Sequence, residues 1–572
     1  MNLKCSAHIV TKVERNISLP FLWIATGIFI LTTSLVLIGD IVVTWSNYLL
    51  LGISILLMIS SAIVLFFTYS YLEHANWLKS HGLYRQNNNT CRRVLEATLA
   101  VFTMFVVACT IILIFNMLVL FYSVSIDRLI TNGLLKYLWL SWLIQAPYIA
   151  IFFCRYLKNR RRYVNNLLEF ESPITNSESQ HGRAALFLIT QITSRDGPLI
   201  VQNVIDKSRS ITNQIIQRHG YRIGHRIDLV IEENAEKKYD FHDANIVAVP
   251  SDYETPRGSR YKCRALHYTT ELRRKRRENT KDYWIFHLDE ESFVTTQCME
   301  SVLKYISDPN SPPVAEGPII YPNRLLEVDP ICRVVECMRP YICYDCVSQF
   351  DGHSLPIYMH GSNLLVRAHI EDNIGWDYRN PASEDQRFGH NVWLKYGPKA
   401  FGWHGGMIEE QPPLSIKSLI KQRRRWFVGD IYNMRTGDIP LIRKIEITGR
   451  WISWSTGFIS GLVSIAALVL PQSIPEPVSI FLSTITALWF FGYQQGLREN
   501  LRPLKLSRSK QIYYHIQTAL LTPIAGLIDT YGAFSAPFYV YNFEWEPTEK
   551  VIKTERTDET QLLELEDHIS AS

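Results

Sequence analysis

The sequence predicts an α-helical membrane protein with a polar α/β domain inserted between its helices. Of its 572 residues 47% are hydrophobic and only 20% charged. The apolar residues are gathered into long blocks, and one polar stretch, 157–413, instead alternates short apolar runs with helical patterns. Crossing the ~30 Å hydrocarbon layer takes about 20 mostly apolar helical residues, and only helices or closed barrels satisfy the backbone there.

Spans are expected near Pro20–Val43, Tyr48–Leu72, Leu95–Tyr122 and Gly133–Tyr156, which makes 1–156 a region of about four helices. Two more are expected near Trp451–Leu470 and Val478–Tyr493. Tyr514–Tyr541 carries Pro523, Gly526, Asp529, Gly532 and Pro537, a pattern that predicts a broken or re-entrant helix, so 451–541 holds two to three helices. An acidic tail follows at 544–572. The first span is too long for a cleavable signal and no small-residue cleavage site follows it.

Lysine and arginine set the orientation. They collect in the amino-terminal tail (Lys4, Lys12, Arg15), between the second and third spans (Lys79, Arg85, Arg92, Arg93) and after the fourth (Arg155, Lys158, Arg160, Arg161, Arg162), which predicts a multi-pass protein whose central domain faces the cytosol. These flanks account for the net charge of +5, and no nucleic-acid partner is needed to explain it. The ten cysteines predict no disulfide framework in a reducing compartment. Cys343 and Cys346 form a CxxC pair open to zinc, but Cys332 and Cys337 are spaced poorly for a zinc knuckle, so buried thiols are expected.

Within 157–413, Ala185–Thr190, Ile227–Glu232, Tyr283–Asp289 and Gly317–Tyr321 read as buried strands and Leu199–Arg218 as the helix after the first. The alternation predicts a mostly parallel sheet with ligands off the carboxyl ends of its strands. Acidic residues gather there. The first strand runs into Ser194-Arg195-Asp196-Gly197, the second ends at Glu232, and the third delivers Asp289 and Glu291. Unpaired carboxylates at a buried strand tip are costly, and a hard divalent cation such as Mg²⁺ bridging them to a diphosphate would satisfy them. The competing reading is that Asp289 only starts a turn.

Two further motifs follow. In Pro381-Ala382-Ser383-Glu384-Asp385-Gln386-Arg387-Phe388, Ser383 reads as a helix cap, and a carboxylate so placed also suits a general base. Lys421-Gln422-Arg423-Arg424-Arg425-Trp426 ends a basic amphipathic pattern, 414–430, that reads as an interfacial helix; its glutamine and tryptophan also suit diphosphate binding and sugar stacking.

In this order, the acidic second strand end, the DxD-like third, the ED pair and QxxRW before an apolar segment resemble the membrane glycosyltransferases of family two, with the GT-A fold (Rossmann-like), which include cellulose, chitin and hyaluronan synthases. Val249 to Tyr253, Lys262 to Leu266, His287 to Ser292, Gly361-Ser362, Glu384-Asp385 and Gln422 to Trp426 with Gly429 more closely resemble the Egghead-type β-1,4-mannosyltransferases of animals, over most of Arg183–Gly429.

The resemblance implies donor binding by Glu232, Lys262, Arg264, Asp289, Gln422 and Arg425, a metal (Mg²⁺ or Mn²⁺) at Asp289 and Glu291, an acceptor path along Gly361, Ser362 and Trp426, and Asp385 as the base. Glu232 stands where the family usually has aspartate. The implied function is inverting transfer of a sugar, with mannose from GDP-mannose as the best guess, to a membrane-associated acceptor such as a glycolipid. The alternatives are a processive polysaccharide synthase using a UDP-sugar and, outside enzymology, a transporter or receptor with a cytosolic insert. Ionisable residues in the spans, chiefly Asp40 and Asp529, are too few to favour the last.

Overall fold

The computed structural model of the chain describes residues 141–168, 186–195, 198–238, 244–322, 324–348, 350, 359–378, 382–435, 439–466 and 476–540. The first three expected spans, the start of the fourth (133–140), Asp196-Gly197, Pro381 and the acidic tail lie outside the described residues. Two compact units result. One, Met1–Pro147 with Leu470–Ile485, is described only in two helical pieces, 141–147 and 476–485. The other, Tyr148–Val469 with Thr486–Ser572, holds the sheet, the cavity and the helices around it.

The described strands are β1 (Leu186–Thr193), β2 (Ile223–Glu232), β3 (Asn245–Val249), β4 (Tyr283–Asp289), β5 (Phe293–Val294), β6 (Val314–Glu316), β7 (Ile319–Ile320), β8 (Leu364–Arg367), β9 (Phe401–Trp403) and β10 (Ile408–Glu409). A seven-stranded sheet runs β3-β2-β1-β4-β8-β6-β9, and a small second sheet runs β5-β10-β7. The first four strands are parallel. The sheet is mixed, however, because β8 lies antiparallel to both β4 and β6. On β1 and β4, Leu188, Ile192, Trp284, Phe286 and Leu288 are buried on one face, and Ile189 and Ile285 on the other. Covered on both faces, these strands read as continuous apolar runs. An α/β fold of GT-A-like type results.

The third predicted strand has its expected bounds, the first extends to Thr193 and the second begins earlier, at Ile223. The expected Gly317–Tyr321 strand is instead the junction of β6 and β7, where a Cβ on Gly317 would lie 2.0 Å from the Gly406 carbonyl oxygen. The chain changes sheets there, and only glycine permits the approach.

Helices cover the sheet and continue past it: α1 (Ser141–Leu168), α2 (Pro198–His219), α3 (Tyr261–Lys275), α4 (Thr296–Ser307), α5 (Pro330–Cys337), α6 (Arg339–Ser348), α7 (Ala368–Ile374), α8 (Glu384–Tyr396), α9 (Ile416–Arg435), α10 (Leu441–Ala466), α11 (Glu476–Leu501) and α12 (Arg508–Ser535). Among the described residues no helix is long and apolar enough to cross a membrane. Helix α10 begins at Leu441, ahead of the expected Trp451, and its early turns carry Arg443, Lys444, Glu446 and Arg450. Helix α12 runs unbroken past Pro523 and ends in a 3₁₀ turn at Ala536–Tyr539. Its glycines serve close packing: a Cβ on Gly526 would meet the Trp489 ring at 2.4 Å, and one on Gly532 the Arg423 Cβ at 2.4 Å.

Candidate active site

A cavity of about 700 Å³ opens off the carboxyl ends of β1, β2 and β4. Glu232, Lys262, Asp289, Glu291, Gly361, Ser362, Asp385, Gln422, Arg425 and Trp426 all line it. Of the predicted site residues only Arg264 does not. Residues two apart on a helix face different sides, so α3 cannot aim both Lys262 and Arg264 at one ligand. Arg264 turns beneath the second strand end, where NH1 donates to Glu232 Oε2 at 2.6 Å, Nε donates to the Tyr253 carbonyl at 2.9 Å, and NH2 reaches the Pro250 carbonyl. It positions Glu232.

The strand ends are tied to one another. Glu290 Oε2 accepts from Ser194 Oγ at 2.6 Å and from the Arg195 backbone N–H at 3.1 Å, joining β4 to β1. Behind Asp289, His287 and the Arg273 guanidinium meet the fully buried Glu371 at 3.1 and 2.6 Å. Opposite charge holds the Glu371 carboxyl down to about 2, although burial alone would raise it.

Lys262 is the centre of the site. Its ammonium lies 2.5 Å from Asp289 Oδ1 and 3.9 Å from Glu384 Oε1, and donates to the Gly361 carbonyl at 3.3 Å. Burial would lower its pKa, but the Asp289 and Glu384 carboxylates outweigh that and keep it above the ordinary lysine range. A Cβ on Gly361 would fall 2.8 Å from Lys262 Nζ and 3.5 Å from Asp385 Oδ2, so glycine leaves this junction open. Asp385 stands in the first turn of α8 with Oδ1 accepting the Gln386 backbone N–H at 2.8 Å. Burial and then the neighbouring Glu384 push its carboxyl up to about 7, against Lys262 and Arg425.

Ser362 faces the strand-tip carboxylates, with its hydroxyl 2.7 Å from Ser292 Oγ. Ser292 in turn donates to Glu410 Oε1 at 3.0 Å. Glu410 is a cavity carboxylate that the sequence reading missed; burial, then Asp289 and Glu291, push its pKa up to about 7. Among the described residues no group of three or more His, Cys, Asp or Glu is arranged to hold a metal ion. Asp289 and Glu291 nevertheless offer hard oxygens into one cavity, and Mg²⁺ is commonly held by one or two carboxylates plus substrate phosphates. Residues of this kind fit a cation that arrives with a diphosphate. Cys332, Cys337, Cys343 and Cys346 are buried free thiols on α5 and α6 and do not line the cavity.

Ser383 does not cap α8: it makes no side-chain cap bond, and its hydroxyl donates to the Trp426 carbonyl at 3.3 Å, tying α8 to α9. The helices cross at Gly429, where a Cβ would lie 1.9 Å from Ser383 Oγ. Gly429→Ala is therefore expected to destabilise the protein by about 1–3 kcal/mol through overpacking. Thermal unfolding measures this, and an unchanged midpoint would refute the tight crossing.

Residues 284–493 match the family described as Glycosyl transferase family group 2. The β-1,4-mannosyltransferase bre-3 of Caenorhabditis elegans is 24% identical over 283 residues, 48% of this chain and 60% of its own length. The β-1,4-mannosyltransferase egh of Drosophila melanogaster is 25% identical over 257 residues, 44% of this chain and 54% of its own. The chain thus spans less than two thirds of the length of the curated relatives it matches. A solved structure of the mannosyltransferase PcManGT from Pyrobaculum calidifontis, in complex with GDP-Man and Mn²⁺, aligns with a TM-score of 0.37 at 12% identity over 66% of this chain and 98% of its own. With the family match covering β4, the ED pair and the QRRRW helix, the chain carries a family 2 glycosyltransferase domain.

Proposed function

We propose that the chain is an inverting hexosyltransferase that moves mannose from GDP-mannose to a membrane-held acceptor such as a glycolipid. The observation that carries this reading is the single ammonium of Lys262, set between the strand-tip Asp289 and the Glu384-Asp385 pair. A donor-side carboxylate and a base candidate thus share one cavity. Single displacement needs one base and a neutralised leaving group. Asp385 would take the acceptor hydroxyl's proton as that oxygen attacks the anomeric carbon, and Lys262 and Arg425 would face the departing diphosphate. A divalent cation, Mg²⁺ or Mn²⁺, held by Asp289 and Glu291 would add Lewis-acid neutralisation. Glu232 would meet the nucleoside. The relatives' printed activity, β-1,4-mannosyl transfer, supports mannose as the sugar.

A membrane location is part of the proposal, with the catalytic domain on the cytosolic side and spans in the amino-terminal region. Helix α10 exposes Leu441, Ile445, Ile452, Ile459, Leu462 and Ile465, and α12 exposes Ile512, Ile516, Leu520 and Ile524 at four-residue spacing. Contiguous apolar faces of this kind suit lipid better than water. The deciding experiment incubates purified chain with labelled nucleotide sugars and a lipid-linked acceptor. The expected result is one mannose added from GDP-mannose with release of GDP. A ladder of products from a UDP-sugar would replace this reading with polymer synthesis, and no transfer from any donor would refute it.

A further inference from the structure

Arg423, the first arginine of the QRRRW segment, lines the cavity, and each of its three guanidinium nitrogens donates to a neighbouring side chain. Its Nε donates to Asp529 Oδ1 at 2.6 Å, NH2 to Glu336 Oε1 at 2.6 Å, and NH1 to the Gln422 side chain at 2.7 Å. Both carboxylates are buried, Glu336 to 1% and Asp529 to 6% exposure. The held guanidinium lies over the Trp426 ring, 4.3 Å from its centre, with Arg339 at 5.3 Å. The planar fork suits this arrangement: it fixes one orientation through three acceptors while leaving a flat face for the indole. On the far side, Gly532 lets α12 approach until an added Cβ would touch Arg423 Cβ at 2.4 Å.

We infer that Asp529 and Glu336 are positioning residues that fix Trp426, and with it the acceptor side of the cavity, by clamping Arg423. Helix α12 then bears on acceptor binding through the Arg423 guanidinium that its Asp529 holds. The inference rests on the glycosyl-transfer reading for its kinetic consequence but not for its geometry. With two carboxylates on one guanidinium, neutralising either one leaves Arg423 paired to the other and need not unfold the protein.

The test labels the full-length protein with 5-fluorotryptophan and assigns the Trp426 ¹⁹F resonance by its loss in Trp426→Phe. In Asp529→Asn and in Glu336→Gln this resonance is expected to shift or broaden. KM for the acceptor is expected to rise about tenfold, with donor affinity unchanged and kcat at saturating acceptor within about twofold. Two variants are used so that failure of one to fold leaves the other to decide. An unmoved Trp426 resonance in a folded variant overturns the clamp, as does a loss confined to kcat. If wild-type protein transfers no sugar, the function reading fails, and the clamp stands or falls on the resonance alone.

Discussion

Asp385→Asn is expected to lower turnover by about 10²–10⁴-fold while donor binding in the same purified variant stays near that of wild type. Asparagine keeps the size of the side chain and can still accept the Gln386 N–H bond that holds Asp385 Oδ1 at 2.8 Å, but it cannot accept the proton. Retained turnover would remove Asp385 as the base; lost donor binding in a folded variant would make it a donor ligand instead. The pH profile gives an independent check. Burial and Glu384 raise the Asp385 pKa to about 7, so the ionised base is scarce below that pH and kcat/KM should rise about tenfold per unit until it levels near 7. Stability runs the other way. A folded-state pKa above the unfolded one means that the folded chain holds a proton the unfolded chain has released, so this group's contribution is fully present at pH below about 4 and is lost as pH rises through 7.

Removing divalent cations with excess chelator is expected to abolish transfer, and Asp289→Asn to reproduce that loss, by at least about 10²-fold, with folding retained. Without a cation, a diphosphate would have to lie against Asp289 and Glu291 with Glu410 close behind, and Lys262 supplies only one positive charge against them. Titrating the donor in the presence and absence of Mn²⁺ separates the steps, since affinity should collapse together with turnover. Full activity in excess EDTA would show that Lys262 and Arg425 suffice for the diphosphate and would overturn the metal assignment.

What the sequence made legible was local. Strand β4 is a run of large apolar residues ending in its first acid, so both its bounds and the exposure of Asp289 follow from pattern alone. The QRRRW helix and the ED helix were recognisable for the same reason, since each motif is contiguous. Choices between neighbours were not legible. Lys262 and Arg264 look equivalent in sequence, yet the helix turn sends one to the cavity and the other under Glu232. Ser383 has the composition of a cap, but α9 crosses close enough to claim its hydroxyl. Glu410 lies 118 residues from its partner Ser292, brought there by a two-residue strand that no periodicity could reveal. Asp529 read as one of the proline- and glycine-rich breakers of an apolar stretch because its partner Arg423 is 106 residues away.

That last separation has a consequence in time. On the ribosome Asp289 emerges some 240 residues before Asp529, an interval of roughly 10–50 s at usual synthesis rates. For part of it the nascent chain already contains Glu336 and Arg423 but not the helix that encloses them, and the wall carrying Trp426 has no backing. Domains otherwise tend to mature from the amino-terminal end as they are made. Here the newborn protein should be able to grasp a nucleotide well before it can seat an acceptor, so competence for the full reaction waits for the α12 segment to be translated.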